Sequence, residues 1–175
     1  MLPDPERGYE IMKILVMSDS HGRSDLVQKC IEQHPDTQAV LFLGDVLFDV
    51  KGMDKRFPDK QFHCVRGNCD FDSDVPLERL VTLQGTEILL THGHAHGVNY
   101  GLDALVGYAR KKGAKIALFG HTHVPFNKYL DGIYVLNPGS LSRPRDGSRP
   151  SYGLIEITPR GILTNTSDFN QFSKI

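Results

Sequence analysis

Five short apolar runs, each followed closely by side chains that can bind a metal, constrain this chain more than any other feature. The runs and the residues that follow them are 14–17 with Asp19 and His21, 40–43 with Asp45, 62–65 with Asn68, 88–90 with His92, and 116–119 with His121 and His123. Short apolar runs that end near Gly or Asp are typical of buried strands. Since ligands gather at the carboxyl ends of strands in layered α/β folds, the pattern predicts one preformed site for more than one metal ion.

Periodicity and turn residues predict the elements around these runs. The expected elements are strands near 12–17, 39–43 and 61–66, helices at 24–33 and 99–112, a weakly helical segment at 47–57, and hairpins pairing 77–83 with 86–91, 126–130 with 133–136 and 152–157 with 161–166. Ser24 and Asp25 suit the start of the first helix. Because β-α alternation comes first and antiparallel strands come last, we expect two packed sheets with helices outside, an α+β arrangement.

The composition favours a globular enzyme or binding protein with no attraction to polyanions. The 175 residues fit one domain, expected over 11–175, with a disordered extension over 1–10. A net charge of −1 gives no strong signal for nucleic acid, and no stretch is apolar enough to span a membrane. Three cysteines without a CxxC pair, and a leader without an apolar core, indicate a cytoplasmic protein. A homo-oligomer stays open, because nothing in the sequence decides the oligomeric state.

The candidate donors suit hard or borderline divalent metals. Asp19 and His21 are two positions apart, as are His121 and His123, so on an extended chain each pair would point to one side. Carboxylate, amide and imidazole groups favour Mn, Fe or Zn. Seven candidates exceed the needs of one ion and suit two ions that share a bridging carboxylate. Two ions about 3.5–4 Å apart clamp the attacking and leaving oxygens of a phosphoryl displacement.

The ordered motifs resemble those of calcineurin-like metallophosphoesterases, and within them the small bacterial and archaeal YfcE-type phosphodiesterases. The motifs are Asp19-x-His21, Gly44-Asp45, Gly67-Asn68-Cys69-Asp70, Thr91-His92-Gly93-His94, Gly120-His121-x-His123 and Asn137-Pro138-Gly139-Ser140. The likeness spans about residues 12–165. It implies a four-layer αββα sandwich of two mixed β-sheets flanked by helices, with the site at the sheet ends.

The resemblance also implies a ligand set and an activity. Carried over position by position, it gives one divalent ion the ligands Asp19, His21, Asp45 and His123, and the other the ligands Asp45, Asn68, His92 and His121. Asp45 would bridge the two ions. The implied reaction is hydrolysis of a small phosphate ester, preferentially a diester, by a hydroxide that bridges the metals. Manganese is the preferred metal, with iron, zinc and nickel as alternatives.

Four residues are candidates for catalytic roles: Asn68, Cys69, Asp70 and His94. Cys69 stands where the superfamily usually has a histidine that stabilises or protonates the leaving oxygen. A thiol is a poorer acid than imidazole at neutral pH, so this replacement favours leaving groups that need little proton donation; an inert turn thiol is the alternative. Asp70 is expected to accept hydrogen bonds in a turn or to orient a ligand, His94 to orient a ligand or face the substrate, and His96 to lie at the surface.

Residues 142–151 form an arginine-rich segment that follows the last motif. Arg143, Arg145 and Arg149 stand there among prolines and glycines. Guanidinium groups bind phosphate oxygens in bidentate geometry, which makes these three residues candidates for substrate binding. A solvated surface loop is the alternative.

Two other functions compete with the phosphoesterase. A non-catalytic scaffold of the same fold, like the retromer's scaffold subunit, would have altered ligand positions, whereas this chain keeps every expected ligand. An amidohydrolase also uses a His-x-His motif, but its TIM barrel typically needs about 250 residues. The enzyme is therefore the preferred interpretation.

Overall fold

Two mixed five-stranded sheets form the centre of the protein. The computed structural model describes residues 11–71 and 73–170, so the extension expected at 1–10 lies outside the described residues. The strands are β1 Met12–Met17, β2 Ala39–Phe42, β3 Gln61–Cys64, β4 Glu78–Leu83, β5 Thr86–Thr91, β6 Ile116–Leu118, β7 Phe126–Leu130, β8 Ile133–Asn137, β9 Ser151–Thr158 and β10 Gly161–Asp168. The helices are α1 Ser24–Glu32, α2 Met53–Arg56 and α3 Asp103–Lys111, and 3₁₀ turns cover Leu47–Val50 and His94–His96.

Parallel strands in both sheets bring their carboxyl ends together. The first sheet has the order β10-β9-β1-β2-β3 and the second the order β4-β5-β6-β8-β7. In the first, β1, β2 and β3 are parallel; in the second, β5, β6 and β8 are parallel. The remaining strands pair antiparallel, and all three expected hairpins are confirmed.

The apolar runs of β1, β2 and β6 are continuous because these strands are buried on both faces, whereas β3 is only half-buried. In β1, Ile14 and Val16 point into the core between the two sheets, whereas Leu15 and Met17 pack with the buried side of α1. This alternation follows from the two-residue period of a strand. On the other side, α3 covers the second sheet with Leu105, Val106 and Ala109. The layers are therefore helix, sheet, sheet and helix, which confirms the expected αββα sandwich.

The two longer helices differ from expectation at their first turns. α3 begins at Asp103 and not near Asn99, because Gly101 adopts a φ of 151°, outside the helical region. At α1, Ser24 is the first helical residue but Arg23 is the N-cap, and its side chain makes no capping bond. Within the described residues, no helix has both the length and the apolar character needed to cross a bilayer.

Candidate metal centre

The turns after the parallel strands are held against one another by backbone hydrogen bonds. The Asp19 N–H donates to the carbonyl of Gly44 at 3.0 Å, and the Gly120 N–H donates to that of His92 at 2.9 Å. Gly44 has a φ of 94°, and a β-carbon there would collide with the backbone of Gly67. Glycine is required at this position because it permits both the left-handed backbone and the close approach.

One group of four side chains converges after β1, β2 and β6. Asp19, His21, Asp45 and His123 each offer one ligand atom, and these atoms all lie within 4.8 Å of one another. The His123 Nε2 lies 3.1 Å from the Nε2 of His21 and 3.1 Å from the Oδ1 of Asp19. Ligands at about 2.0–2.1 Å from one ion are about 2.8–3.4 Å apart at octahedral or tetrahedral angles, so the 3.1 Å spacings fit a divalent cation.

Hydrogen bonds at the far side of two rings fix which nitrogen faces the site. The Nδ1 of His123 lies 2.7 Å from the carbonyl of Arg143, and the Nδ1 of His92 lies 2.6 Å from the carbonyl of Leu43. A carbonyl only accepts, so each Nδ1 donates and each neutral ring turns an Nε2 lone pair inward. The buried Oδ1 of Asp19 also accepts no hydrogen bond from the described residues. Converging lone pairs of this kind suit a cation between them.

A second group meets around the side-chain oxygen of Asn68. This Oδ1 lies 2.8 Å from the Nδ1 of His121 and 3.1 Å from the Nε2 of His92. Asp45 faces both groups, because its Oδ1 is 3.5 Å from the Nε2 of His92 and its Oδ2 is 3.8 Å from the Nε2 of His21. The donor atoms therefore fit two neighbouring cations with Asp45 between them.

Charges and burial set the protonation of these groups when no metal is bound. Burial lowers the pKa of His21 and of His121, which favours neutral rings with free lone pairs. Burial would also lower the pKa of His92, but the carboxylates of Asp45 and Asp19 outweigh it and raise that pKa. Burial alone would raise the pKa of the Asp45 carboxyl, whereas hydrogen bonding and the charge of His92 lower it well below its ordinary value.

The backbone at the donor positions is left-handed and not extended. Positive φ angles of 45° to 68° occur at Asp19, His21, Asp45, His121 and His123. The expectation that residues two apart converge because the chain is extended is therefore wrong: a tight turn brings Asp19 and His21 together, whereas His121 and His123 face different donor groups. Such angles cost about 1–3 kcal/mol each in non-glycine residues and cluster at functional sites, where the surrounding structure holds them.

Asp70 orients the turn that carries Asp45. Its carboxylate accepts three backbone N–H groups, from Asp45 at 3.0 Å, Leu47 at 2.7 Å and Gly67 at 2.8 Å. These bonds tie the turn after β2 to the turn after β3. Asp70 thus fixes where Asp45 lies without facing the donor atoms itself.

Asp49, which no sequence motif singled out, does the same for the turn that carries His21. Its Oδ2 accepts the Ser20 hydroxyl at 2.5 Å and the N–H groups of Gly22 at 2.8 Å and Arg23 at 3.1 Å. The residue is only 3% exposed. No local signal marks it, because its partners lie more than 25 positions earlier in the chain.

Cys69 and His94 border the donor groups. Cys69 is exposed, and its N–H donates to the Oδ1 of Asp45 at 2.9 Å. Partial removal from water and the nearby Asp45 carboxylate raise the pKa of the Cys69 thiol to about 11. The His94 ring centroid lies 5.5 Å from that of His92 and 6.0 Å from that of His121. Burial and the charge of His92 lower the pKa of His94.

His96 is not a surface residue, which corrects the expectation from the sequence. Its Nε2 lies 2.6 Å from a carboxylate oxygen of Glu78, and its side chain is only 11% exposed. The other oxygen of Glu78 accepts the Tyr108 hydroxyl at 2.6 Å. His96 therefore anchors the 3₁₀ turn after β5 and points away from the donor atoms.

The three arginines of the 142–151 segment are exposed and differ in their relation to the site. The Arg143 carbonyl accepts a hydrogen bond from the His123 ring. Arg145 donates its backbone N–H to the carbonyl of His123 at 3.2 Å. Arg149 faces Asp168 at 3.6 Å. Arg143 and Arg145 are thus tied to His123 through their backbones, whereas Arg149 faces Asp168.

The sequence profile of the calcineurin-like phosphoesterase superfamily domain matches residues 12–160. The chain belongs to the calcineurin-like phosphoesterase superfamily. It is 33% identical over 148 residues to the probable metallophosphoesterase YsnB of Bacillus subtilis, and the alignment covers 83% of this chain and 85% of YsnB. It is 29% identical over 171 residues to the phosphodiesterase YfcE of Escherichia coli, and the alignment covers 83% of this chain and 88% of YfcE.

Structural similarity supports the same membership. A predicted phosphoesterase from Streptococcus pneumoniae superimposes with a TM-score of 0.75 and 29% identity, covering 90% of this chain and 99% of the other. A further relative is vacuolar protein sorting-associated protein 29 of Schizosaccharomyces pombe, 38% identical over 101 residues, which cover 53% of this chain and 54% of that protein. This calcineurin-like phosphoesterase is therefore similar both to phosphoester hydrolases and to a protein named for sorting.

Proposed function

We propose that this metallophosphoesterase is a phosphodiesterase that works with two divalent ions, with manganese preferred over iron, zinc or nickel. The observation that carries the proposal is Asp45, which turns one carboxylate oxygen toward each donor group. The first ion would be held by Asp19, His21, Asp45 and His123, and the second by Asp45, Asn68, His92 and His121.

The reaction forms a bond from a water oxygen to phosphorus and breaks the bond to the leaving oxygen, which ends protonated. When bound, the ions would offset phosphate charge and make water more acidic at neutral pH. The chain supplies the rest. Its fixed tautomers at His92 and His123 keep lone pairs turned inward, and Asp70 keeps Asp45 in place. Arg143 would bind a nonbridging phosphate oxygen, since its carbonyl holds the His123 ring and its side chain is exposed.

The preference for diesters follows from the weak acid beside the site. A thiol with a pKa of about 11 gives little help to a leaving oxygen at neutral pH. Esters whose leaving groups need no proton would therefore react best. On esters of alkyl alcohols, whose leaving oxygen needs a proton, Cys69→His installs a group that titrates near neutral pH and should raise turnover of monoesters relative to diesters. An unchanged ratio would remove Cys69 from the mechanism.

The decisive assay compares matched diesters and monoesters of p-nitrophenol. The protein is stripped with a chelator and reloaded with each of the four metals. We expect no turnover without metal, recovery with manganese, and a higher kcat/KM for the diester. Faster hydrolysis of the monoester by the parent protein would contradict the diester assignment, and turnover that survives chelation would contradict the metal requirement.

The second candidate is a scaffold that binds metal or partner proteins without turnover, which the similarity to vacuolar protein sorting-associated protein 29 favours. Metal binding without hydrolysis of either ester class would select it.

We further propose a single domain over 11–175 in the cytoplasm. Light scattering of the purified protein decides between a monomer and a homo-oligomer.

A further inference from the structure

Two phenylalanine rings are left in water in the segments that follow β2 and β3, which also carry donors of the site. Phe71 is 83% exposed and Phe48 is 74% exposed. Single exposed apolar residues are ordinary on protein surfaces. These two differ because each stands three positions after a donor of the site, Phe48 after Asp45 and Phe71 after Asn68.

One carboxylate joins the two turns from which the rings emerge. The Oδ1 of Asp70 accepts the N–H of Leu47 at 2.7 Å, and the Oδ2 accepts the N–H of Asp45 at 3.0 Å. Phe48 directly follows Leu47, and Phe71 directly follows Asp70, so each ring is attached beside one end of the same hydrogen bond. The two segments that carry the rings are therefore held together by the Asp70 carboxylate, which also positions Asp45.

A positive charge accompanies one of the rings. The Lys51 Nζ lies 5.7 Å from the centroid of the Phe48 ring. Aromatic side chains beside a cation suit a ligand that is both flat and anionic, because bases stack on the rings while the charge attracts phosphate. A flat group linked to a phosphodiester matches this combination.

We propose that Phe48 and Phe71 bind the nucleobase of the ester, so that the substrates of this site are nucleotide phosphodiesters. The inference rests on the proposed function, since the base is bound while the phosphate is at the metals. A simple aryl ester offers a ring as well, but it lacks the area and polar edge of a base.

Three diesters with the same leaving group test the inference. They are the p-nitrophenyl esters of thymidine monophosphate, of phenyl phosphate and of methyl phosphate. In each, a water oxygen replaces p-nitrophenolate on phosphorus, so only the retained group differs. We expect the parent to favour the thymidine ester over the methyl ester, and Phe48→Ala and Phe71→Ala each to lower that ratio of kcat/KM about five- to thirtyfold.

Matched variants separate stacking from general damage. Phe48→Tyr and Phe71→Tyr keep a ring and should keep the ratio. Tyr129→Ala removes a ring that is 62% exposed on β7, at the edge of the second sheet away from β2 and β3, and should also keep it. Metal content and melting temperature are recorded for every variant.

Each outcome supports or overturns the inference. Unchanged ratios in both alanine variants overturn it while leaving the phosphodiesterase intact. An equal loss on the phenyl and thymidine esters identifies a general aryl site and overturns the nucleobase assignment. A parent that hydrolyses none of the three overturns the proposed function and this inference with it. A selective loss on the thymidine ester, restored by tyrosine, supports both.

Discussion

Asp49 should be essential for the turn that carries His21, although it touches no donor atom. Asp49→Ala removes hydrogen bonds to the Ser20 hydroxyl and to the N–H groups of Gly22 and Arg23. A hydrogen bond to a charged group contributes about 1.5–3 kcal/mol. Because Gly22 and Arg23 are exposed, water recovers part of this energy, and we expect the free energy of unfolding to fall by about 2–4 kcal/mol.

That loss is large enough to measure in two ways. For a protein of this size, 1 kcal/mol lowers the melting temperature by about 2–4 °C, so thermal unfolding followed by circular dichroism should shift by about 5–15 °C. The measurement is made without metal, so that changed metal binding does not enter. In a separate titration, the ion held by His21 should bind about tenfold more weakly, as is typical when a group that orients a ligand is lost.

Two control variants show whether the loss of stability in Asp49→Ala comes from the lost hydrogen bonds. Asp49→Asn keeps an oxygen acceptor and should lose only about 1 kcal/mol. Asp54→Ala removes an exposed carboxylate from α2 and should leave stability within about 0.5 kcal/mol of the parent. An Asp49→Ala protein that melts with the parent and binds metal normally would refute the reasoning.

Three further predictions follow from single contacts. Arg143→Ala should lower kcat/KM about tenfold to hundredfold at constant metal content, whereas Arg149→Ala, which removes a group facing Asp168, should not; equal effects would contradict the assignment. Alkylation of Cys69, followed by mass spectrometry, should accelerate about tenfold per pH unit from pH 7 to 9, because the reactive thiolate grows toward a pKa of about 11, and a plateau in that range would contradict it. Lys60→Met should lower the free energy of unfolding, measured with a chemical denaturant, by about 2–4 kcal/mol, because a buried ammonium that donates to the Thr37 carbonyl at 2.6 Å is lost. Lys55→Met, at an exposed position, should leave that free energy unchanged. A Lys60→Met protein as stable as the parent would contradict this prediction.

The fold was predictable because its strands carry a simple pattern. Runs such as 14–17 and 116–119 are apolar at every position, and the structure buries both faces of β1 and β6. The three hairpins were predictable too, because short polar turns between adjacent strands mark them in the sequence itself. The start of α3 was not predictable in this way, because the helical spacing continues past Gly101, whose backbone leaves the helix.

The candidate site was predictable in its members but not in its geometry. Strand ends indicated that Asp19, Asp45 and His123 would lie together, and their ligand atoms lie within 4.8 Å of one another. The left-handed turns that bring them there depend on contacts between loops far apart in sequence. Asp49 is the extreme case, since one acid in a weakly helical segment has no feature that distinguishes it until the fold places it beside Ser20.

Metal content of the Asp45→Ala protein tests the central claim most directly. Parent, Asp45→Ala and His123→Ala proteins are loaded with manganese, freed of excess metal and analysed by elemental mass spectrometry. Because Asp45 faces both donor groups, the account predicts two ions per chain in the parent, loss of both in Asp45→Ala, and loss of mainly one in His123→Ala. A parent with a single ion, or an Asp45→Ala protein that keeps two, would contradict the shared carboxylate.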